Sequence, residues 1–161
     1  KMFSKRDYIH YFEQIACLER KTIYRLTDLV AEIQDPYVAG VLKGMFADAM
    51  RRYSLISDLL QSRSFSEAGS DKRLVNRRNA LGKVRLVYKD RGLFHELQAY
   101  CVNFSHQGLC FESEHRVEPG RHFEVNLALF DQVEPMRCTG KVVWVREILP
   151  GFFLAGVQFD G

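Results

Sequence analysis

The sequence predicts an α+β chain: an antiparallel two-helix hairpin followed by a six-stranded antiparallel barrel or small sandwich. Three observations carry the prediction. Apolar residues recur at three- to four-residue steps up to about Gln61, a Ser-rich stretch follows, and after it the apolar period drops to two. Helix faces repeat every 3.6 residues and strand faces every second residue, so the change of period marks a change of architecture.

In the first half, Tyr8, Phe12, Ile15, Ile23, Leu26, Val30 and Ile33 form one helical stripe, with a phase slip near Leu18. Asp35-Pro36 interrupts it. Aspartate caps a helix N-terminus well and proline is tolerated in the first turn, so a second helix is expected to start there. Its stripe is Val38, Leu42, Met45, Ala49, Tyr53, Ile56 and Leu60. Val41, Phe46, Met50, Leu55 and Leu59 widen that stripe beyond what one partner helix would bury. The surplus needs either the chain's own barrel or a second hairpin, and a homodimeric four-helix bundle is the simpler expectation.

Between Gln61 and Asp71 the stretch QSRSFSEAGSD reads as a linker. The domain expectation is therefore a hairpin over residues 1–61, a linker over 62–71 and a β-domain over 72–161. In the last of these, Val84, Leu86 and Tyr88 alternate with polar residues in a first strand. Further strands are expected at about Leu93 to Val102, at Gly108 to Ser113 and around Phe123, Val125, Leu127 and Leu129. A long fifth strand places Cys138, Gly140, Val142, Trp144 and Arg146 on one face, and Phe153, Ala155, Val157 and Phe159 line a sixth. DRG, EPG and LPG mark three connections. Six short strands at this spacing suit a closed or nearly closed β-architecture.

Composition removes several classes of function. The 161 residues are 47% hydrophobic and 27% charged with a formal charge of +3, which is globular and too weakly basic for bulk DNA binding. No apolar run reaches the ~18 residues of a membrane span, so no membrane insertion is expected. KMFSKRDY has no apolar core, so no signal peptide is expected, and a cytoplasmic location follows from that reading. Cys17, Cys101, Cys110 and Cys138 are dispersed with no CxxC pair, which reads as reduced packing thiols rather than a zinc site. A di-iron carboxylate bundle would need ExxH pairs on facing helices, and the hairpin has only His10. Ser105 beside His106 is no catalytic pair, because neighbours on a strand point to opposite faces. No catalytic residue, metal or cofactor is expected.

Two polar features stand out. KRLVNRR, residues 72 to 78, concentrates Lys72, Arg73, Arg77 and Arg78 where the linker meets the barrel. About one hairpin later, VNFSHQGLCF sets Asn103, Ser105 and Gly108 between apolar runs. Arg73-Leu-Val-Asn-Arg77 reads RxxxR, and Asn103-Phe-Ser105-His-Gln-Gly108 reads NxSxxG. Together with GKVVWVRE (140 to 147) and FLAGVQF (153 to 159), this order resembles the PilZ domain over about Lys72 to Gly161. The helices lie outside the resemblance.

The resemblance implies a six-stranded barrel that binds cyclic di-GMP, a bacterial second messenger, with no catalysis. It implies ligand contacts from Arg73, Arg77 and the adjoining Arg78, and from Asn103, Ser105 and Gly108. Arginine's fork of donors matches a phosphate edge and the O6/N7 edge of guanine. Gly108 is expected to leave room and to permit a left-handed turn. Trp144 is either an aromatic neighbour of a guanine or a buried barrel tryptophan. Where many binders carry an extra arginine before the first motif arginine, this chain has Lys72. The implied role is a receptor that orders its basic strap on binding, changes the hairpin–barrel arrangement and signals to a downstream protein. The alternative is a PilZ-like adaptor that binds no nucleotide and works through protein contacts.

Overall fold

The computed structural model describes residues 3–62 and 78–161. The predicted linker beyond Ser62, and the basic strap up to Arg77, lie outside the described residues. The chain divides into two compact units, within Lys1–Lys72 and Arg73–Gly161.

The first unit holds two helices, α1 (Lys5–Glu32) and α2 (Pro36–Gln61). Ser4 caps α1: its hydroxyl accepts the Asp7 N–H while the Asp7 carboxylate accepts the Ser4 N–H at 2.8 Å. These bonds from Ser4 hold the Asp7 carboxyl below the usual carboxylate range. Asp35 caps α2 as expected, accepting the Val38 N–H at 2.9 Å, with Pro36 in the first turn. A three-residue connection makes the helices antiparallel, and Arg52 crosses to Glu19 with bonds of 2.7 and 3.2 Å. The buried apolar positions are Ala16, Cys17, Ile23, Tyr24 and Leu26 on α1 and Ala49 and Tyr53 on α2. The α2 stripe is narrower than the sequence suggested: Val38 and Met45 stay exposed, as do Val41 and Leu55.

The second unit is the predicted antiparallel barrel, closed by six strands with one short strand added. In chain order these are β1 (Arg78–Asn79), β2 (Gly82–Asp90), β3 (Leu93–Ser105), β4 (Gly108–Ser113), β5 (His122–Leu129), β6 (Met136–Leu149) and β7 (Phe152–Phe159). The order β1-β3-β2-β5-β6-β7-β4 closes through β3–β4 pairing. Closure leaves few unpaired edges and turns every second side chain inward. Val84, Leu86, Leu97, Ala99, Leu109, Phe111, Val125, Leu127, Val142 and Val157 fill the interior at no more than 9% exposure. The DRG signal is a two-residue hairpin between β2 and β3, with Arg91 at φ 47° and Gly92 at φ 85°.

β3 runs three residues further than the apolar pattern implied. Asn103 and Ser105, read from the sequence as part of a turn, are paired strand residues, and only His106 and Gln107 form the turn.

Candidate functional site

Alternation along β3 fails at one place, and the failure creates the polar corner. Cys101 pairs with Phe111 and faces the core, yet Asn103 pairs with Cys110, so Val102 is an extra residue in a β-bulge. A regular strand would have sent Cys101 and Asn103 to the same face. The bulge instead turns Asn103 and Ser105 outward and leaves Phe104 inward, packed against the core and paired with Leu109. Ser105 is 8% exposed, and its hydroxyl closes the turn by accepting the Gln107 N–H at 3.3 Å and reaching the Gly108 carbonyl at 3.5 Å.

Gly108 pairs with Ser105 on one side and Gln158 of β7 on the other. The expectation of a left-handed turn there is overturned, since its φ is not among the positive values, which belong to Arg91, Gly92, Gly120 and Gly151. Space is the reason for glycine: a Cβ at this position would stand 2.2 Å from the Val157 carbonyl oxygen.

A second bulge re-aims Trp144. The expected shared face of Cys138, Gly140, Val142, Trp144 and Arg146 holds only as far as Val142. Val142 pairs with Val157 in the core, Val143 is the extra residue, and Trp144 pairs with Gly156. Val145 then takes the inward position, and Trp144 and Arg146 turn outward. The indole lies across Gly156 so closely that a Cβ there would stand 2.1 Å from Nε1 and 2.5 Å from Cε2. Trp144 is half-buried rather than a core residue.

Cross-strand partners share a face, so the pairings trace one row over the outside of the barrel. It runs Asn79, Asn103, Cys110, Gly156, Trp144 across β1, β3, β4, β7 and β6. Ser105, Gly108 and Gln158 form the row beside it. The four predicted barrel-side residues Asn103, Ser105, Gly108 and Trp144 therefore lie on one outer surface. Gly156 belongs to it too and was missed, because a glycine's role opposite an indole on the adjacent bulged strand has no local sequence signal. Along the row, three strand spacings of about 4.8 Å separate Asn103 from Trp144, roughly 14 Å.

A model of the PilZ domain matches residues 72–161, more than half of the chain. The chain belongs to the PilZ domain family. PilZ domains as a family are cyclic di-GMP receptors, binding domains rather than enzymes. No curated protein matches the chain.

In this PilZ barrel Arg78, the last residue of the basic stretch, is paired beside the polar corner. β1 pairs Asn79 with Asn103 and Arg78 with Phe104. Arg78 thus leaves the sheet on the face opposite Asn103. Its guanidinium lies 4.8 Å over the Phe104 ring and 3.7 Å from an Asp131 carboxylate oxygen, an exposed contact. Arg73 and Arg77 lie outside the described residues.

Asn103 Oδ1 is buried without a hydrogen-bond partner among the described residues. A buried acceptor left unmet costs about 1–3 kcal/mol, which a donor-bearing ligand would recover. Among the described cysteines of the PilZ barrel, Cys101 and Cys110 are buried and in no disulfide. Burial, with Asp160 nearby, pushes the Cys138 thiol up, so it stays protonated at neutral pH. Among the described residues no helix is long and apolar enough to cross a membrane.

Proposed function

We propose that this PilZ protein is a cyclic di-GMP receptor in which the outer row from Asn103 to Trp144 receives the ligand and Arg73 and Arg77 close over it. The observation that carries the reading is the unmet Oδ1 of Asn103 on the same face as Trp144. A guanine or a guanidinium brings N–H donors to that oxygen, and the indole offers a flat face for a base. Chain connectivity supports the arginine clasp. Arg77 precedes Arg78 by one peptide, a Cα step of about 3.8 Å, and Arg78 is paired beside the corner.

Charged hydrogen bonds contribute about 1.5–3 kcal/mol each, and ordering a segment costs about 2–5 kcal/mol. Three or four such contacts with base stacking place affinity near micromolar, about −8 kcal/mol, which suits a sensor. Ser105 holds the turn closed and Gly108 lets β7 approach, so both shape the corner. Arg78 sends its side chain to the opposite face, and its contribution is to pair β1 beside the corner. Ordering of the strap on binding would then be the signalling step towards a downstream protein.

The exposed Tyr37, Val41, Met45 and Leu55 of α2 support a protein partner for the hairpin, and a second copy of the chain is the proposed one.

Calorimetry with cyclic di-GMP tests the receptor reading. Saturable binding by the full chain, abolished in Arg73→Ala/Arg77→Ala with the barrel still folded, is the expected result. Heat indistinguishable from dilution in the unaltered protein would refute it and leave the non-binding adaptor.

A further inference from the structure

β3 has 13 residues and β4 only 6, so half of β3 outruns its neighbour. β4 pairs with β3 only from Tyr100 to Ser105. From Ser113 the chain crosses the end of the barrel to β5, and on the way it sets Val117 into the core. Between this crossing segment and the unmatched half of β3 lies a cleft of about 570 Å³. Its apolar lining is Leu97, Val117 and Phe123, all buried.

The rest of the lining is aromatic and cationic. Tyr88 and His95 stack with centroids 5.1 Å apart and planes 19° apart, and the Arg121 guanidinium lies 4.5 Å over the same Tyr88 ring. Arg116 stands on the crossing segment. Neither Arg116 nor Arg121 is in an ion pair among the described residues. The Glu96 carboxylate in the lining is already engaged, by Arg85 at 2.9 Å and by Gln98 at 2.7 Å. Glu114 also has a partner.

We propose that this cleft is a second binding site, for a small aromatic phosphate of mononucleotide size. The phosphate goes to Arg121 and Arg116, and the ring lies against His95 on the Tyr88 stack. Several physical points converge. Two guanidinium groups outside any ion pair among the described residues favour a dianion, and their forks match phosphate oxygens. The Tyr88 ring already holds Arg121 by a cation–π contact, so less side-chain freedom is lost on binding. The volume falls within the range of small-ligand pockets, about 300–1,000 Å³. The site is separate from the Asn103–Trp144 row: His95 precedes Asn103 by eight residues on β3, about 26 Å at ~3.3 Å per residue. It does not depend on the cyclic di-GMP reading.

The test is a nitrogen-15 NMR titration of the full chain with inorganic phosphate, phenyl phosphate and guanosine 5′-monophosphate. It is read at the amides of His95, Arg116 and Arg121, so occupancy of the Trp144 face is scored apart. Saturable shifts are expected, with both organic phosphates binding about tenfold or more tightly than inorganic phosphate. Arg121→Gln should weaken them about tenfold, and the exposed Arg116→Gln, which threatens folding least, by a similar factor. Asn103→Ala should leave them unchanged. No saturable shift with any of the three compounds overturns the proposal. So does equal affinity for inorganic and organic phosphate, or unaltered binding in both arginine variants.

Discussion

Gly156→Ala separates a Trp144 held in place by its neighbour from one that is merely near the site. The added Cβ would stand 2.1 Å from indole Nε1, whereas ordinary contact begins at 3.4 Å, so the ring must retreat by at least the difference of 1.3 Å. The obstacle is a rigid bicyclic ring on a paired strand, so the retreat requires rotation of the side chain. An off-rotamer side chain costs about 0.5–1.5 kcal/mol, and overpacking about 1–3 kcal/mol. The assay has a built-in probe because Trp144 is the sole tryptophan of the chain. Its emission should shift to the red as the ring lifts from β7 into solvent. If the indole stacks on a base, cyclic di-GMP affinity should fall by about 1–3 kcal/mol, roughly 5- to 150-fold. Far-UV circular dichroism checks that the barrel persists. Unchanged emission together with unchanged affinity would show that Gly156 does not position the indole, and the row argument would fail at that end.

Asn103→Ala should weaken cyclic di-GMP binding about tenfold or more while leaving thermal stability equal or slightly higher, since it deletes a buried acceptor that has no partner among the described residues. A loss of stability exceeding about 2 kcal/mol would mean that Asn103 serves the fold rather than a ligand. Val41→Glu with Met45→Glu on α2 should convert a dimer to a monomer by light scattering without loss of helicity, because both side chains are exposed within one protomer. A mass that is monomeric before the substitutions, or unchanged after them, removes the homodimer.

Much of the fold was legible in the sequence because each element obeys one period. Val84 and Leu86 alternate with Lys83 and Arg85 and do line the core. Asp35-Pro36 carries its own capping chemistry, so the break between the helices needed no tertiary information. The site was legible only as a set of residues, because its facing depends on the two bulges. The inserted residues, Val102 and Val143, are valines, which suit an ordinary strand and carry no sign of irregularity. One clue was available in β3: unbroken alternation would have placed Asn103 in the core beside Cys101, an unpartnered amide among apolar side chains. In β6 an inward tryptophan is an ordinary expectation, and the clue was Arg146, which unbroken alternation would have placed on the same inward face. On α2 the misreading of Val38 and Met45 has a different origin, since a periodic stripe states which residues align but not how wide a face a single partner helix covers.

The two bulges also explain why the surface needs small residues at its centre. A bulge bends its strand and raises the local twist, so Asn103 and Trp144 are brought outward at the two ends of a strip whose middle strands, β4 and β7, stay regular against each other. Whatever stands between them on that face must not rise above the ends, and the row places Cys110 and Gly156 there. The indole then folds inward over Gly156, while Gly108 in the neighbouring row lets the β7 backbone close on the turn. A larger residue at either glycine meets a rigid neighbour, the indole in one case and the Val157 carbonyl in the other. Both glycines are therefore fixed by close approach across β7, and neither is among the residues with positive φ. The motif glycine and the glycine outside the motif answer to one constraint: two strands that slip by a residue, with β4 and β7 held close and flat between them.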